Sequence, residues 1–115
     1  MRKEDYMKRL IATERDHDAE FRLHVGDELT VRLKVIPGTG YSWKISGNDE
    51  EVLSLVGEPV FEKSGAQVLG GVEQQVFCFR VKSSGVRRLK FEYCRPWEKP
   101  GTAMKSFSIT MITEE

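Results

Sequence analysis

Few residues of this chain could carry out covalent chemistry. The best nucleophile is Cys94, because the neighbouring Arg95 would favour its thiolate form. A nucleophilic cysteine also needs a base, but the two histidines, His17 and His24, come far earlier in the chain. Together with Asp18 they match no spacing that is typical of a zinc site. We therefore expect no enzymatic activity, no metal and no cofactor.

Three turn segments hold the most unusual residues. They are Pro37, Gly38, Thr39, Gly40 and Tyr41 in the first segment, Gly70 and Gly71 in the second, and Arg95, Pro96 and Trp97 in the third. Proline fixes one backbone angle and glycine opens angles closed to other residues, so the first segment can form a narrow protrusion. Trp97 lies between two prolines, where it either caps the core or serves as an aromatic anchor at an interface.

The rest of the chain predicts the scaffold that carries these segments. From residue 20 onward, apolar and polar residues alternate with a period of two, which is typical of strands with one buried face. The clearest alternating segments are 29–35, 77–82, 89–94 and 106–111, and shorter candidates lie at 21–25, 41–45, 52–56 and 60–63. This pattern predicts an all-β fold, an immunoglobulin-like antiparallel β-sandwich of seven to eight strands.

The same alternation predicts the core and the place of the turns. The predicted core residues are Leu29, Val31, Leu33, Val35, Phe77, Phe79, Leu89, Phe91, Phe107 and Ile109. The main strands are expected near residues 22, 32, 43, 67, 78, 90 and 109, with residues 47–63 as additional edge structure. If each connection reverses the chain, the three unusual segments share one end of the sandwich. Cys78 and Cys94 are expected in different sheets, as free thiols.

Length, charge and the N-terminus limit the remaining possibilities. The 115 residues suffice for one core, and the 18 basic and 18 acidic residues cancel, which argues against nucleic acid or a membrane surface as partner. Residues 1–19 are densely charged and predict a flexible arm or one marginal helical turn before a sandwich domain at 20–115. Residues 7–12 are too short and too charged for a secretory signal, so we expect a cytoplasmic protein unless a signal was removed.

The three turn segments resemble those of the chagasin family of cysteine protease inhibitors, and the likeness covers roughly residues 20–113. That family's first loop reads Asn-Pro-Thr-Thr-Gly before an aromatic residue, its second is glycine-rich, and its third carries Arg-Pro-Trp or Arg-Pro-Phe. The matching residues are Pro37, Thr39, Gly40, Tyr41 and Trp43, then Gly70, Gly71 and Glu73, then Arg95, Pro96 and Trp97. Ile36 and Gly38 depart from the family's usual Asn and Thr, which removes side-chain hydrogen bonds from the first loop.

The resemblance implies a monomeric, tight-binding, reversible and noncovalent inhibitor whose partner is a papain-like cysteine protease. It implies that residues 37–41 cover the catalytic cysteine and that Gly70 and Gly71 lie beside the unprimed subsites. Trp97 would pack on the primed side, and Arg95 would either brace its hairpin or pair with a carboxylate. An alternative from the residues alone is a non-enzymatic module that binds another protein or a carbohydrate, with Tyr41 and Trp97 as its platform.

Overall fold

The structure, a computed structural model, describes residues 7–36, 38–63, 72–99 and 101–115. These residues form nine strands and one short 3-10 helix at Glu14–Asp16. The strands are β1 (Arg9–Ala12), β2 (Glu20–His24), β3 (Glu28–Val35), β4 (Ser42–Gly47), β5 (Leu53–Leu55), β6 (Val60–Lys63), β7 (Glu73–Val81), β8 (Gly85–Cys94) and β9 (Lys105–Glu114). No helix within these ranges has the length and apolar character needed to cross a membrane.

The strands form two sheets packed face to face, which confirms the predicted β-sandwich. The first sheet has the order β1-β3-β7-β5, with β6 also paired to β7, and the second has the order β2-β9-β8-β4. Two pairs, β1 with β3 and β2 with β9, are parallel, whereas the other pairs are antiparallel. The expected purely antiparallel pairing therefore fails at these two places. In both, the partners are joined by a long connection instead of a hairpin, and such a connection permits parallel pairing.

The core lies between the sheets and contains every residue that the alternation placed there. Each of the ten predicted core residues is at most 3% exposed. Aromatic rings fill its centre: Phe91 lies edge-on to Phe77, with ring centroids 4.8 Å apart, and contacts Phe79 in the same manner at 6.3 Å. Edge-to-face ring contacts add stability beyond the burial of apolar area.

The predicted N-terminal arm has fixed contacts over its described part. Residues 9–12 form β1 beside β3, and Ala12 is fully buried. The backbone N–H of Asp18 donates to the carbonyl of Ser108 at 2.7 Å, so the following segment is attached to β9 in the other sheet. The sequence pattern did not indicate this, because an edge strand of four residues is held mainly by backbone hydrogen bonds and shows little alternation.

The strand registers place the strand ends that flank three connections at one end of the sandwich. In the first sheet, Val35 at the end of β3 lies opposite Glu73 at the start of β7. In the second sheet, Ser42 at the start of β4 lies opposite Cys94 at the end of β8. The connections at this end are the first loop (36–41), the second loop (64–72) and the third loop (95–104). The strand predicted near residue 67 lies outside the described residues, and β6 precedes the second loop.

The two cysteines lie in different sheets and are free thiols. Cys78 is exposed on β7, whereas Cys94 is buried at the end of β8. Their separation agrees with the predicted division of strands between the sheets.

An ion pair fixes the corner between β4 and β5 and shifts a pKa. Arg87 Nε donates to Asp49 Oδ2 at 2.7 Å, and the N–H of Glu51 donates to Asp49 Oδ1 at 3.0 Å. The hydrogen bond from Arg87, followed by that from Glu51, lowers the pKa of Asp49. Because a lowered carboxyl pKa stabilises the folded state above the unfolded value, this contribution is present at neutral pH. It is lost as the pH falls from the ordinary aspartate value of 3.8 through the folded pKa.

We expect Arg87→Gln to raise the pKa of Asp49 toward its ordinary value, because the substitution removes the main hydrogen bond to the carboxylate. An NMR titration of the Asp49 carboxyl group in both proteins measures this change. The same pKa in both proteins would contradict the assigned cause.

Candidate functional site

The first loop is shaped by one hydroxyl group and two glycines. Thr39 Oγ1 donates to the carbonyl of Ile36 at 2.9 Å and accepts a hydrogen bond from the N–H of Tyr41 at 3.3 Å. Gly38 and Gly40 have φ angles of +87° and +82°, a region that favours glycine because it has no Cβ. The family's usual asparagine side chain is missing at Ile36, but the backbone carbonyl of that residue still takes part in closing the turn.

The third loop is a tight turn that presents Trp97 to solvent. The N–H of Arg95 donates to Glu98 Oε1 at 2.7 Å, and the N–H of Glu98 donates to the carbonyl of Arg95 at 3.1 Å. Pro96 and Trp97 occupy the tip between these two bonds, and Trp97 is 73% exposed. The alternative in which Trp97 folds back to cap the core is therefore wrong for this structure.

Arg95 joins the first and third loops. Its guanidinium carbon lies 4.5 Å from the ring centroid of Tyr41 and 5.8 Å from that of Trp97. Tyr41 also stacks on Tyr93 at the end of β8, with ring centroids 5.4 Å apart. A Cβ added to Gly40 would lie 3.7 Å from Trp97 Cη2, which shows how closely the two loops approach. Of the two roles expected for Arg95, these ring contacts favour bracing, since cations are attracted to aromatic faces.

A buried pair of side chains supports the loops from below. The indole N–H of Trp43 in β4 donates to the carbonyl of Lys34 in β3 at 3.0 Å, so it links the two strands that flank the first loop. Gln75 in β7 bonds to both the N–H and the carbonyl of Trp43. The sequence analysis did not single out Gln75. Its position in the sequence could have indicated it, because residue 75 continues the alternation by which residues 77 and 79 face the core.

The structure describes seven of the ten predicted site residues: Gly38, Thr39, Gly40 and Tyr41 of the first loop and Arg95, Pro96 and Trp97 of the third. Of these, Gly40, Tyr41, Arg95 and Trp97 lie close together across the two loops. Pro37, Gly70 and Gly71 lie outside the described residues. At the described end of the second loop, Val72 is 40% exposed and leads into β7.

The groups considered for covalent or metal chemistry have structural contacts instead. Cys94 is 4% exposed. His17 Nδ1 accepts a hydrogen bond from the N–H of Ser108, and its ring lies 6.0 Å from that of Phe107. Within the part of the chain that the structure describes, no cluster of three or more His, Cys, Asp or Glu side chains could hold a metal ion.

Comparison with known proteins agrees with the sandwich fold. Chagasin from Trypanosoma cruzi is 24% identical over 100 residues, which cover 84% of this chain and 91% of chagasin. The structure of a cysteine protease inhibitor from Entamoeba histolytica superposes with a TM-score of 0.84 at 23% identity, covering 94% of this chain and 97% of that one. The inhibitor PbICP-C, solved in complex with falcipain-2, superposes with a TM-score of 0.59 at 20% identity, covering 91% of this chain and 89% of that one. These structural likenesses show a shared fold.

The family model for chagasin family peptidase inhibitors (I42) matches residues 22–111, which is most of the chain and includes all three loops. The chain therefore belongs to the chagasin family of peptidase inhibitors.

Proposed function

We propose that this protein inhibits papain-like cysteine proteases reversibly and without a covalent bond, by placing its three loops in the active-site cleft. The observation that carries the proposal is the Arg95 contact, which holds an exposed tryptophan against a closed, glycine-containing turn at one end of a rigid sandwich. The complex of PbICP-C with falcipain-2 supports a protease as partner.

The first loop is suited to block a thiolate nucleophile without being cleaved. A papain-like protease binds an extended peptide and attacks a carbonyl carbon that lies in line with its cysteine sulfur. In this loop, the Thr39 hydrogen bonds and the left-handed angles of Gly38 and Gly40 maintain a turn. In our proposal residues 37–41 cover the catalytic cysteine and keep their carbonyl carbons out of attack geometry.

The third loop supplies the apolar anchor. Trp97 offers a large flat side chain with an indole donor, the kind of residue that contributes most to binding energy at interfaces. We place it against apolar or aromatic groups on the primed side of the cleft, with Arg95 fixing its position relative to the first loop. The second loop would lie on the unprimed side and use the backbone of Gly70 and Gly71 for hydrogen bonds.

The preformed arrangement lowers the cost of binding. Ordering a flexible loop at an interface opposes association, whereas a loop held by internal contacts has already lost that freedom. The first and third loops have such contacts in the absence of a partner: the Thr39 bonds, the Glu98 bonds and the Arg95 ring contacts. This favours tight but reversible binding.

The carbohydrate-binding alternative is weakened by the environment of Tyr41. A sugar platform needs free aromatic faces, but the Tyr41 ring already contacts Arg95 and Tyr93. The Tyr41 ring is therefore not free to stack on a sugar together with Trp97.

Titration of the protein into papain, with a fluorogenic peptide as substrate, tests the proposed function. We expect the activity of papain to fall as the concentration of this protein rises and to return on dilution. The mass of papain should stay unchanged. Trypsin, a serine protease, serves as the control and should retain its activity. Full papain activity at a large excess of this protein, or inhibition that persists on dilution with a covalent adduct, would contradict the proposal.

We expect Thr39→Val to weaken papain inhibition about fivefold to tenfold, because the isosteric change removes both hydrogen bonds that close the first loop. The melting temperature should change little, since Thr39 is exposed. Thr30→Val, near the start of β3 and away from the loop end, is the matched control and should inhibit like the wild type. Equal inhibition constants for the wild type and Thr39→Val would show that the turn does not need the hydroxyl.

A further inference from the structure

One buried polar side chain ties the two sheets together near the loop end. Gln75 in β7 of the first sheet is only 6% exposed. Its Oε1 accepts a hydrogen bond from the N–H of Trp43 at 2.8 Å, and its Nε2 donates to the carbonyl of Trp43 at 2.8 Å. Trp43 belongs to β4 in the second sheet. A single amide group thus bridges the sandwich with two hydrogen bonds.

The amide of Gln75 occupies the place of a neighbouring strand. β4 is the last strand of the second sheet, and alternate residues of such an edge strand turn both backbone groups away from the sheet. Trp43 gives both of these groups to Gln75. Because a buried amide without partners is costly, the paired position is strongly favoured over others. The two hydrogen bonds therefore fix the position of Trp43 relative to β7.

This bridge lies below the first loop and near the start of β7. Gln75 comes two residues after Glu73, where the second loop enters β7, and Trp43 comes two residues after Tyr41, where the first loop ends. The indole N–H of Trp43 also bonds to Lys34, just before the first loop begins. The chain of contacts from Gln75 through Trp43 to Lys34 therefore connects both ends of the first loop to the start of β7.

We infer that Gln75 is a positioning residue for protease inhibition, which holds β4 and the first loop in place against β7 without touching the protease. The inference rests on the proposed function, because it concerns the fit of the first loop to the protease cleft. It assigns an inhibitory role to a buried residue outside all three loops. Displacement of the first loop by a small distance would disturb its fit to the cleft, which weakens binding even when the hydrogen bonds within the loop are intact.

The first test is Gln75→Met, which keeps the side-chain length and apolar packing but removes both hydrogen bonds. We expect its inhibition constant for papain to rise about tenfold, at a temperature where circular dichroism shows the variant to be fully folded. Gln74→Met is the matched control. That neighbouring side chain contacts Arg32 on the outer face of the sheet, and its loss should leave inhibition unchanged within about twofold.

The second test compares two protonation states of one variant, each shown to be folded by circular dichroism, and also serves if Gln75→Met does not fold. In Gln75→Glu, burial raises the pKa of the carboxyl group, so that at pH 5 the protonated group can donate to the Trp43 carbonyl and accept from its N–H, whereas the ionised form repels that carbonyl. We expect near-wild-type inhibition of papain at pH 5 and at least about tenfold weaker inhibition than the wild type at pH 8. Wild-type protein measured at both pH values corrects for the pH dependence of papain itself.

Three outcomes would overturn the assignment in distinguishable ways. A folded Gln75→Met variant with the wild-type inhibition constant shows that the bridge affects stability alone. A Gln75→Glu variant that equals the wild type at both pH values shows the same. Failure of the wild-type protein to inhibit papain overturns the proposed function itself, and with it any role of Gln75 in inhibition.

Discussion

Trp97→Ala is expected to weaken inhibition of papain by about 1 to 3 kcal/mol, which corresponds to roughly a tenfold to hundredfold rise in the inhibition constant. The reason is that Trp97 is the exposed anchor of the third loop, held 5.8 Å from the guanidinium carbon of Arg95. The melting temperature should hardly change, because a side chain that is 73% exposed contributes little to the folded core. Both quantities are to be measured on the same variant.

Val86→Ala is a suitable control for the Trp97 experiment. Val86 is also a strongly exposed apolar residue, at 62%, but it lies near the start of β8, away from the loop end. We expect it to leave both inhibition and melting temperature close to the wild type. A large drop in melting temperature for Trp97→Ala, with undiminished inhibition by the folded protein, would contradict the role assigned to Trp97.

The sandwich could be predicted from the sequence because its central strands bury one face each. In β3, β7, β8 and β9 the core residues recur at every second position, and only a strand places such residues on one side. Strand counting also placed the first and third loops at one end, since direction reverses between strands joined by a short connection. The strand near residue 67, on which its placement of the second loop depended, lies outside the described residues.

The edge strands were harder to predict: β6 coincides with the candidate segment 60–63, but β1 was missed. β1 has four residues, and all four residues of β6 are exposed, including Val60 and Phe61. Their place depends on backbone hydrogen bonds to β3 and β7, which any sequence can make, so the side chains carry little information. The parallel pairing of β1 with β3 depends on the path of the chain between the sheets, which residue periodicity does not encode.

The loop residues could be predicted individually, but their mutual contacts could not. Proline, glycine, threonine and tryptophan signal unusual turns at their own positions. The stacking of Arg95 on Tyr41 and the pairing of Gln75 with Trp43 join residues more than thirty positions apart in sequence. Such contacts depend on how the two sheets pack. The sequence alone therefore does not decide whether Arg95 braces a loop or pairs with a carboxylate.

Phe91→Ala is expected to lower the free energy of unfolding by about 3 to 5 kcal/mol, the largest effect on stability that we predict for a single substitution. Phe91 is fully buried and contacts three aromatic rings, those of Phe77, Phe79 and Phe107. Its removal leaves a cavity between the two sheets that close-packed neighbours fill only in part. Chemical denaturation of the variant and the wild type measures the difference in the free energy of unfolding, provided that this free energy depends on denaturant concentration with the same slope in both.

Phe61→Ala is the matched control for this experiment, because it removes the same atoms from a site on β6 that is 57% exposed. Its effect should remain within about 0.5 kcal/mol, as for most surface substitutions. Since a domain of this kind has only about 5 to 15 kcal/mol of stability in total, Phe91→Ala removes a large share of it. The third loop begins at the end of β8, so Phe91→Ala should lose inhibition at the temperature at which its sandwich unfolds. Equal losses of stability in the two variants would mean that Phe91 is not the centre of the core.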